Sequence, residues 1–136
     1  MEVVKSFITD TVGLARYSGD NLPGPPSDVF SLTKSRKASI IQPEIVIGKF
    51  VYIGMKGKLR LSNPKDAVKK VLDQIRSAFF ISQSNFPEAG CNIFLSLYIP
   101  ELHDRLIAVE TSARGLALIS NDPVSGKVHG LEVIWE

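Results

Sequence analysis

Along residues 45–61 the side chains alternate. Odd positions read Ile45, Ile47, Lys49, Val51, Ile53, Met55, Gly57, Leu59 and Leu61; even positions read Val46, Gly48, Phe50, Tyr52, Gly54, Lys56, Lys58 and Arg60. Successive side chains of a pleated backbone leave opposite faces, so this period predicts a strand, or two strands joined at a bulge near Gly54 and Gly57. The odd face is expected to meet the core. The even face turns from aromatic to basic, so Lys56, Lys58 and Arg60 would project from one side about 7 Å apart. That spacing suits a phosphate backbone or a lipid headgroup layer.

Such a strand needs neighbours. Residues 92–99 read as a central strand ended by Pro100, and 106–111, 116–120 and 128–135 as three more, the last two joined by a hairpin loop at 121–127. Between them, Asn63 can cap a helix that Pro64 begins and Asp66 supports. Ala67, Val68, Val71, Leu72, Ile75, Ala78 and Phe79 form its apolar stripe, with Lys65, Lys69, Lys70, Asp73 and Arg76 outside it. The expected class is α+β: an antiparallel sheet of four to six strands with one long helix packed on it, plus an N-terminal amphipathic helix.

That N-terminal helix is expected over residues 1–19, from the spacing of Val3, Val4, Phe7, Ile8, Thr11, Val12, Leu14 and Ala15. Residues 20–43 contain Pro23-Gly24-Pro25-Pro26 and Lys34-Ser35-Arg36-Lys37, and read as an exposed linker. Residues 44–136 are expected to form the globular domain. The linker would let Val4, Phe7, Ile8 and Leu14 dock either on a neighbouring copy or on the chain's own core.

Charge is concentrated. Residues 34–76 hold eleven basic and three acidic side chains, a formal +8 in a chain whose total is +2. Lys34, Arg36, Lys37, Lys56, Lys58, Arg60, Lys65, Lys69 and Lys70 are the candidate contacts for an anionic membrane or a nucleic acid. Catalytic groups are sparse by comparison. The histidines are His103 and His129, the one cysteine is Cys91, and no metal-ligand or phosphate-loop spacing emerges. His103-Asp104 could be drawn as an acid–base pair, but adjacent residues rarely face each other. The expectation is a binding protein rather than an enzyme, with no cofactor, no metal and no small-molecule substrate. No apolar run reaches the length of a membrane span, so membrane contact would be peripheral. A lone cysteine fits a reducing compartment.

Phe50-Val51-Tyr52-Ile53, then Lys58-Leu59-Arg60-Leu61-Ser62-Asn63-Pro64 and Asp66-Ala67-Val68, resemble the globular domain of rhabdovirus matrix proteins. Arg114-Gly115-Leu116-Ala117-Leu118-Ile119 and Ser125-Gly126-Lys127-Val128-His129-Gly130-Leu131-Glu132-Val133 are similar to that family's closing hairpin. The resemblance implies a viral matrix protein that self-associates, binds anionic membrane and links it to the ribonucleoprotein during assembly and budding. It would lie beneath the virion envelope and, in the host, in the cytoplasm and on inner membrane faces. The alternative is a nucleic-acid-binding module using the same basic surface, with Phe50 and Tyr52 as stacking platforms.

Overall fold

The computed structural model of the chain describes residues 5–56, 63–78 and 80–135. Strand β1 (Lys5–Thr9) is followed by helices α1 (Thr11–Ser18) and α2 (Gly24–Lys34), strand β2 (Ala38–Pro43), helices α3 (Glu44–Met55) and α4 (Pro64–Ser77), and strand β3 (Ile81–Ser84). Helices α5 (Gly90–Ser96) and α6 (Leu102–Arg114) precede β4 (Ala117–Ile119), a short 3-10 turn (Ser125–Lys127) and β5 (Val133–Ile134). The strands form one sheet in the order β3-β2-β1-β4-β5, and each pairing is parallel.

A parallel sheet must be covered on both faces, because its crossover helices lie there. Neighbouring residues of β1 enter different cores for this reason. Ile8, with Leu118 of β4, packs among Leu14, Val46, Phe50, Val68, Ile75 and Ile107. Phe7, with Ala38, Ile40, Ala117 and Ile119 of the sheet, packs against Val29 and Phe30 of the other layer. The register places Phe7 opposite Ile40 and Ala117, and Ile8 opposite Ile41 and Leu118.

The expected antiparallel α+β sheet is therefore replaced by a parallel α/β sheet between helical layers. The physical reason is clearest at α3. Residues 45–55 are apolar on nearly every face, so a period of two and a period near 3.6 fit the same letters. The buried residues are Val46, Phe50 and Gly54, four apart, and helix α3 packs through them against α1, α4 and α6. Residues 106–111 belong to α6, and β5 returns parallel to β4 instead of closing a hairpin. The N-terminal segment is corrected likewise: β1 is the middle strand of the sheet, and among the described residues of that stretch only 11–18 are helical. Residues 24–34, in the expected linker, form α2, with Pro25 and Pro26 in its first turn where a missing N–H costs nothing. Helix α4 does open at Asn63, whose side chain accepts from the Asp66 N–H at 3.3 Å. Among the described residues no helix is long and apolar enough to cross a membrane.

Candidate active site at the carboxyl end of the sheet

From β1 the chain builds the sheet outward through β2 to β3, then crosses to the opposite edge of β1 to place β4. Connections thus leave β1 and β4 in opposite directions, and open parallel sheets bind ligands at such a reversal, beyond the carboxyl ends of the strands. Acidic side chains and one lysine are collected there.

Asp10 directly follows β1. It is buried, and its Oδ1 accepts from the Gly13 N–H at 2.8 Å as the cap of α1. Its Oδ2 accepts from the Ser120 hydroxyl at 2.6 Å. Gly13 is required by this close approach, since a Cβ there would overlap the Thr9 hydroxyl and crowd Asp10 Oδ1 at 3.4 Å. Burial raises the Asp10 pKa; the bonds from Ser120 and Gly13 oppose it, Asp122 adds to it and Lys49 opposes it.

Ser120 and Asp122 follow β4. The Ser120 hydroxyl that donates to Asp10 accepts the Asp122 N–H at 3.0 Å, joining the two strand ends. Asp122 is held in turn by the Val124 N–H on Oδ1 at 3.1 Å and the Ser125 hydroxyl on Oδ2 at 2.9 Å.

The remaining groups come from helices. Glu101 caps α6, accepting from the Asp104 N–H at 2.7 Å, and meets His103 Nδ1 at 2.8 Å. Its burial would raise its pKa, but the Asp104 and His103 bonds and Lys49 together outweigh that and bring it down to about 2. Asp104 is shifted the other way. Burial raises its pKa, Lys49 opposes this, and the charges of Glu101, Asp122 and Asp10 add to the rise. Lys49, one turn into α3, places Nζ 3.7 Å from Glu101 and 3.9 Å from Asp104. Glu44, exposed at the first turn of α3, lies immediately beyond β2.

Hard carboxylate oxygens at a strand end invite a divalent cation. Among the described residues, however, no three Asp, Glu, His or Cys groups converge closely enough to hold one. Asp10 and Asp122 have both oxygens hydrogen-bonded within the protein, and Lys49 stands beside Glu101 and Asp104. The donors as placed do not fit a bound metal ion. The cation of this cluster is Lys49.

The basic residues singled out from sequence lie elsewhere. Lys34 ends α2, with its Nζ 5.7 Å from the centre of the Tyr17 ring, and Arg36 and Lys37 form the turn before β2. They sit at the amino end of a six-residue strand, about 20 Å from its carboxyl end and hence from Asp10. Lys56 follows α3, and Lys65, Lys69 and Lys70 are exposed on α4. Lys58, Arg60 and Val4 lie outside the described residues. Phe7 and Ile8 on β1 and Leu14 on α1 are buried in the chain's own core. Sequence reasoning missed Asp10, Lys49, Glu101, Ser120 and Asp122, and considered Asp104 only as a partner of His103. One signal was available: Asp10 and Ser120-Asn121-Asp122 each directly follow a short apolar run. His103 does meet a carboxylate, but it is that of Glu101, not the adjacent Asp104.

No protein-family model matches the chain, and no curated protein matches it in sequence. Solved structures share its fold. VapBC2 from Rickettsia felis, solved bound to a DNA fragment from the promoter, superposes with a TM-score of 0.75 at 17% identity, over 96% of this chain and 99% of that one. DNA-bound VapBC from Salmonella typhimurium gives 0.67 at 17% identity over 96% and 97%. VapC20 from Mycobacterium tuberculosis, described as a sarcin-ricin loop cleaving toxin, gives 0.62 at 12% identity over 88% and 92%. At these identities the likeness shows the fold, a PIN-domain-like α/β arrangement.

That finding overturns the matrix reading. Near-complete superposition on VapBC structures replaces the rhabdovirus resemblance, whose second block spans β4 and β5, here parallel strands and not a closing hairpin. The self-associating matrix layer, the anionic membrane and nucleocapsid as partners, the budding role and the virion location rested on that resemblance and fall with it. The expectation of a non-enzyme is overturned with it: the fold is shared by a protein described as a sarcin-ricin loop cleaving toxin.

Proposed function

We propose that this chain is a toxin-type ribonuclease acting at the carboxyl end of its sheet. The observation that carries the reading is the gathering of Asp10, Asp104 and Asp122 at the reversal between β1 and β4, with Lys49 against Asp104. Two neighbouring acids pushed apart in pKa divide acid–base labour. Glu101, held near 2, stays ionised and anchors Lys49. Asp104, raised by burial and by like charges, is the group suited to take or give a proton at the scissile phosphodiester. Lys49 would neutralise charge developing on the phosphoryl oxygens. Asp10, Ser120 and Asp122 form the hydrogen-bonded frame that fixes the two strand ends.

Lys56, Lys65, Lys69 and Lys70 supply exposed positive charge for an RNA backbone. The likeness to the VapBC structures supports a VapB-type antitoxin as protein partner, with DNA engaged by the pair. The test is cleavage of a structured RNA by the purified chain. Asp104→Asn is expected to lower the rate by about 10²–10⁴-fold with a melting temperature no lower than that of the wild type. A wild-type protein that leaves the RNA intact, or an Asp104→Asn variant as fast as wild type, refutes the reading.

A further inference from the structure

Beside the acid cluster runs a groove between α3 and α6, with a volume of about 560 Å³. Ile45 and Tyr52 line it from α3, Phe86 from the loop after β3, and His103, Leu106 and Glu110 from α6. A volume of this order suits a small organic ligand. Glu110 is wholly buried, and only one of its carboxylate oxygens is engaged. Oε2 accepts from the Ser84 hydroxyl at 2.6 Å and from Arg114 Nε at 3.1 Å, whereas Oε1 has no partner. A buried acceptor left unpaired is costly, so a ligand that brings a donor gains by supplying it. The charge is already balanced, because Arg114 pairs with Glu110. What is missing is a hydrogen bond, not a cation. Gly48 leaves the α3 wall bare: a Cβ built there meets nothing within 4 Å.

We propose that this groove is a base-recognition pocket, taking a nucleobase with an exocyclic amino group next to the phosphate at the acid cluster. The proposal rests on the ribonuclease reading and adds a base preference to it. Tyr52, 56% exposed, and Phe86 offer aromatic faces to a flat ring. Adenine, cytosine and guanine each carry an amino N–H for Glu110 Oε1. Uracil has only N3–H on that edge, flanked by two carbonyl oxygens that a carboxylate repels. Lys49 lines both groove and cluster, so a base seated here keeps its phosphate close to Asp104.

Amide chemical-shift titrations of the full chain with AMP, CMP, GMP and UMP test this directly. The first three are expected to shift residues around Tyr52, Phe86 and Glu110 saturably, with UMP at least about tenfold weaker. Gly48→Leu, which sends a side chain into the groove from a position where a Cβ meets nothing within 4 Å, is expected to abolish all four responses while the melting temperature holds or rises. Glu110→Gln presents an amide donor in place of the free acceptor and shifts preference toward UMP; if it fails to fold, Gly48→Leu decides. Equal binding of all four nucleotides, no saturable shift, or an unaltered Gly48→Leu response overturns the proposal. Binding of N-acetylarginine amide in place of nucleotides also overturns it, assigning the groove to a basic peptide. A protein that cleaves RNA but binds no nucleotide here refutes the pocket alone. One that binds the amino-bearing nucleotides but cleaves no RNA supports the pocket and refutes the ribonuclease reading.

Discussion

Asp10 carries a conflict between stability and use. Its carboxylate is buried at a strand end, near Asp122, and burial holds its pKa above the ordinary carboxylate value. A group whose folded pKa lies above its unfolded one favours folding below the unfolded pKa and loses that contribution as pH rises through the folded pKa. Keeping Asp10 ionised therefore works against the fold. Asn at this position keeps an oxygen for the Gly13 N–H and can still bond Ser120, so Asp10→Asn is expected to stabilise the protein by roughly 0.5–2 kcal/mol at pH 7. The gain should shrink as pH falls toward 4, which thermal melts across that range would record. Glu101 has the opposite sign. Its depressed pKa, about 2, contributes stability above the usual carboxylate value, and this is lost as pH falls toward 2. Glu101→Gln is thus expected to flatten the acid limb of the same melts, and an unchanged limb would count against this account of the α6 cap.

At the level of elements, α3 shows why alternation misleads. Its letters satisfy a strand because almost every position is apolar, and only tertiary packing selects the helix. The two assignments part at Phe50. As a strand residue it would lie on the open even face; in α3 it is buried against α1, α4 and α6. Phe50→Ala is expected to cost about 3–5 kcal/mol, and Tyr52→Ala, at an exposed position, well under half of that. Equal losses in urea denaturation would contradict the helical packing. Helix α4 was legible because Asn63, Pro64 and Asp66 write its start in local chemistry. Strand β4 lay inside the segment expected at 116–120, yet its direction was not readable, since parallel and antiparallel partners demand the same short apolar run. The acid cluster was illegible for a related reason: Asp10, Lys49, Asp104 and Asp122 are distant in sequence and meet only once the crossover order is fixed.

Across the whole molecule, the sheet order places the first strand at the centre and recruits its second neighbour late. β1 pairs with β4, and the Ser120 hydroxyl reaches Asp10 across a sequence separation of 110 residues. Contacts of that range make folding slow, with refolding expected in milliseconds to seconds by stopped-flow fluorescence. A chain ended after Gly115 would leave one edge of β1 open and is expected to show no cooperative melt. During synthesis the same geometry sets a delay. At elongation rates of about 5–20 residues per second, a gap of 110 residues lasts about 5–20 s. Throughout that interval the emerging chain carries Asp10 but neither Ser120 nor Asp122. If the chain attacks RNA as proposed, the ribosome making it faces an incomplete site until Ser120 and Asp122 have been added.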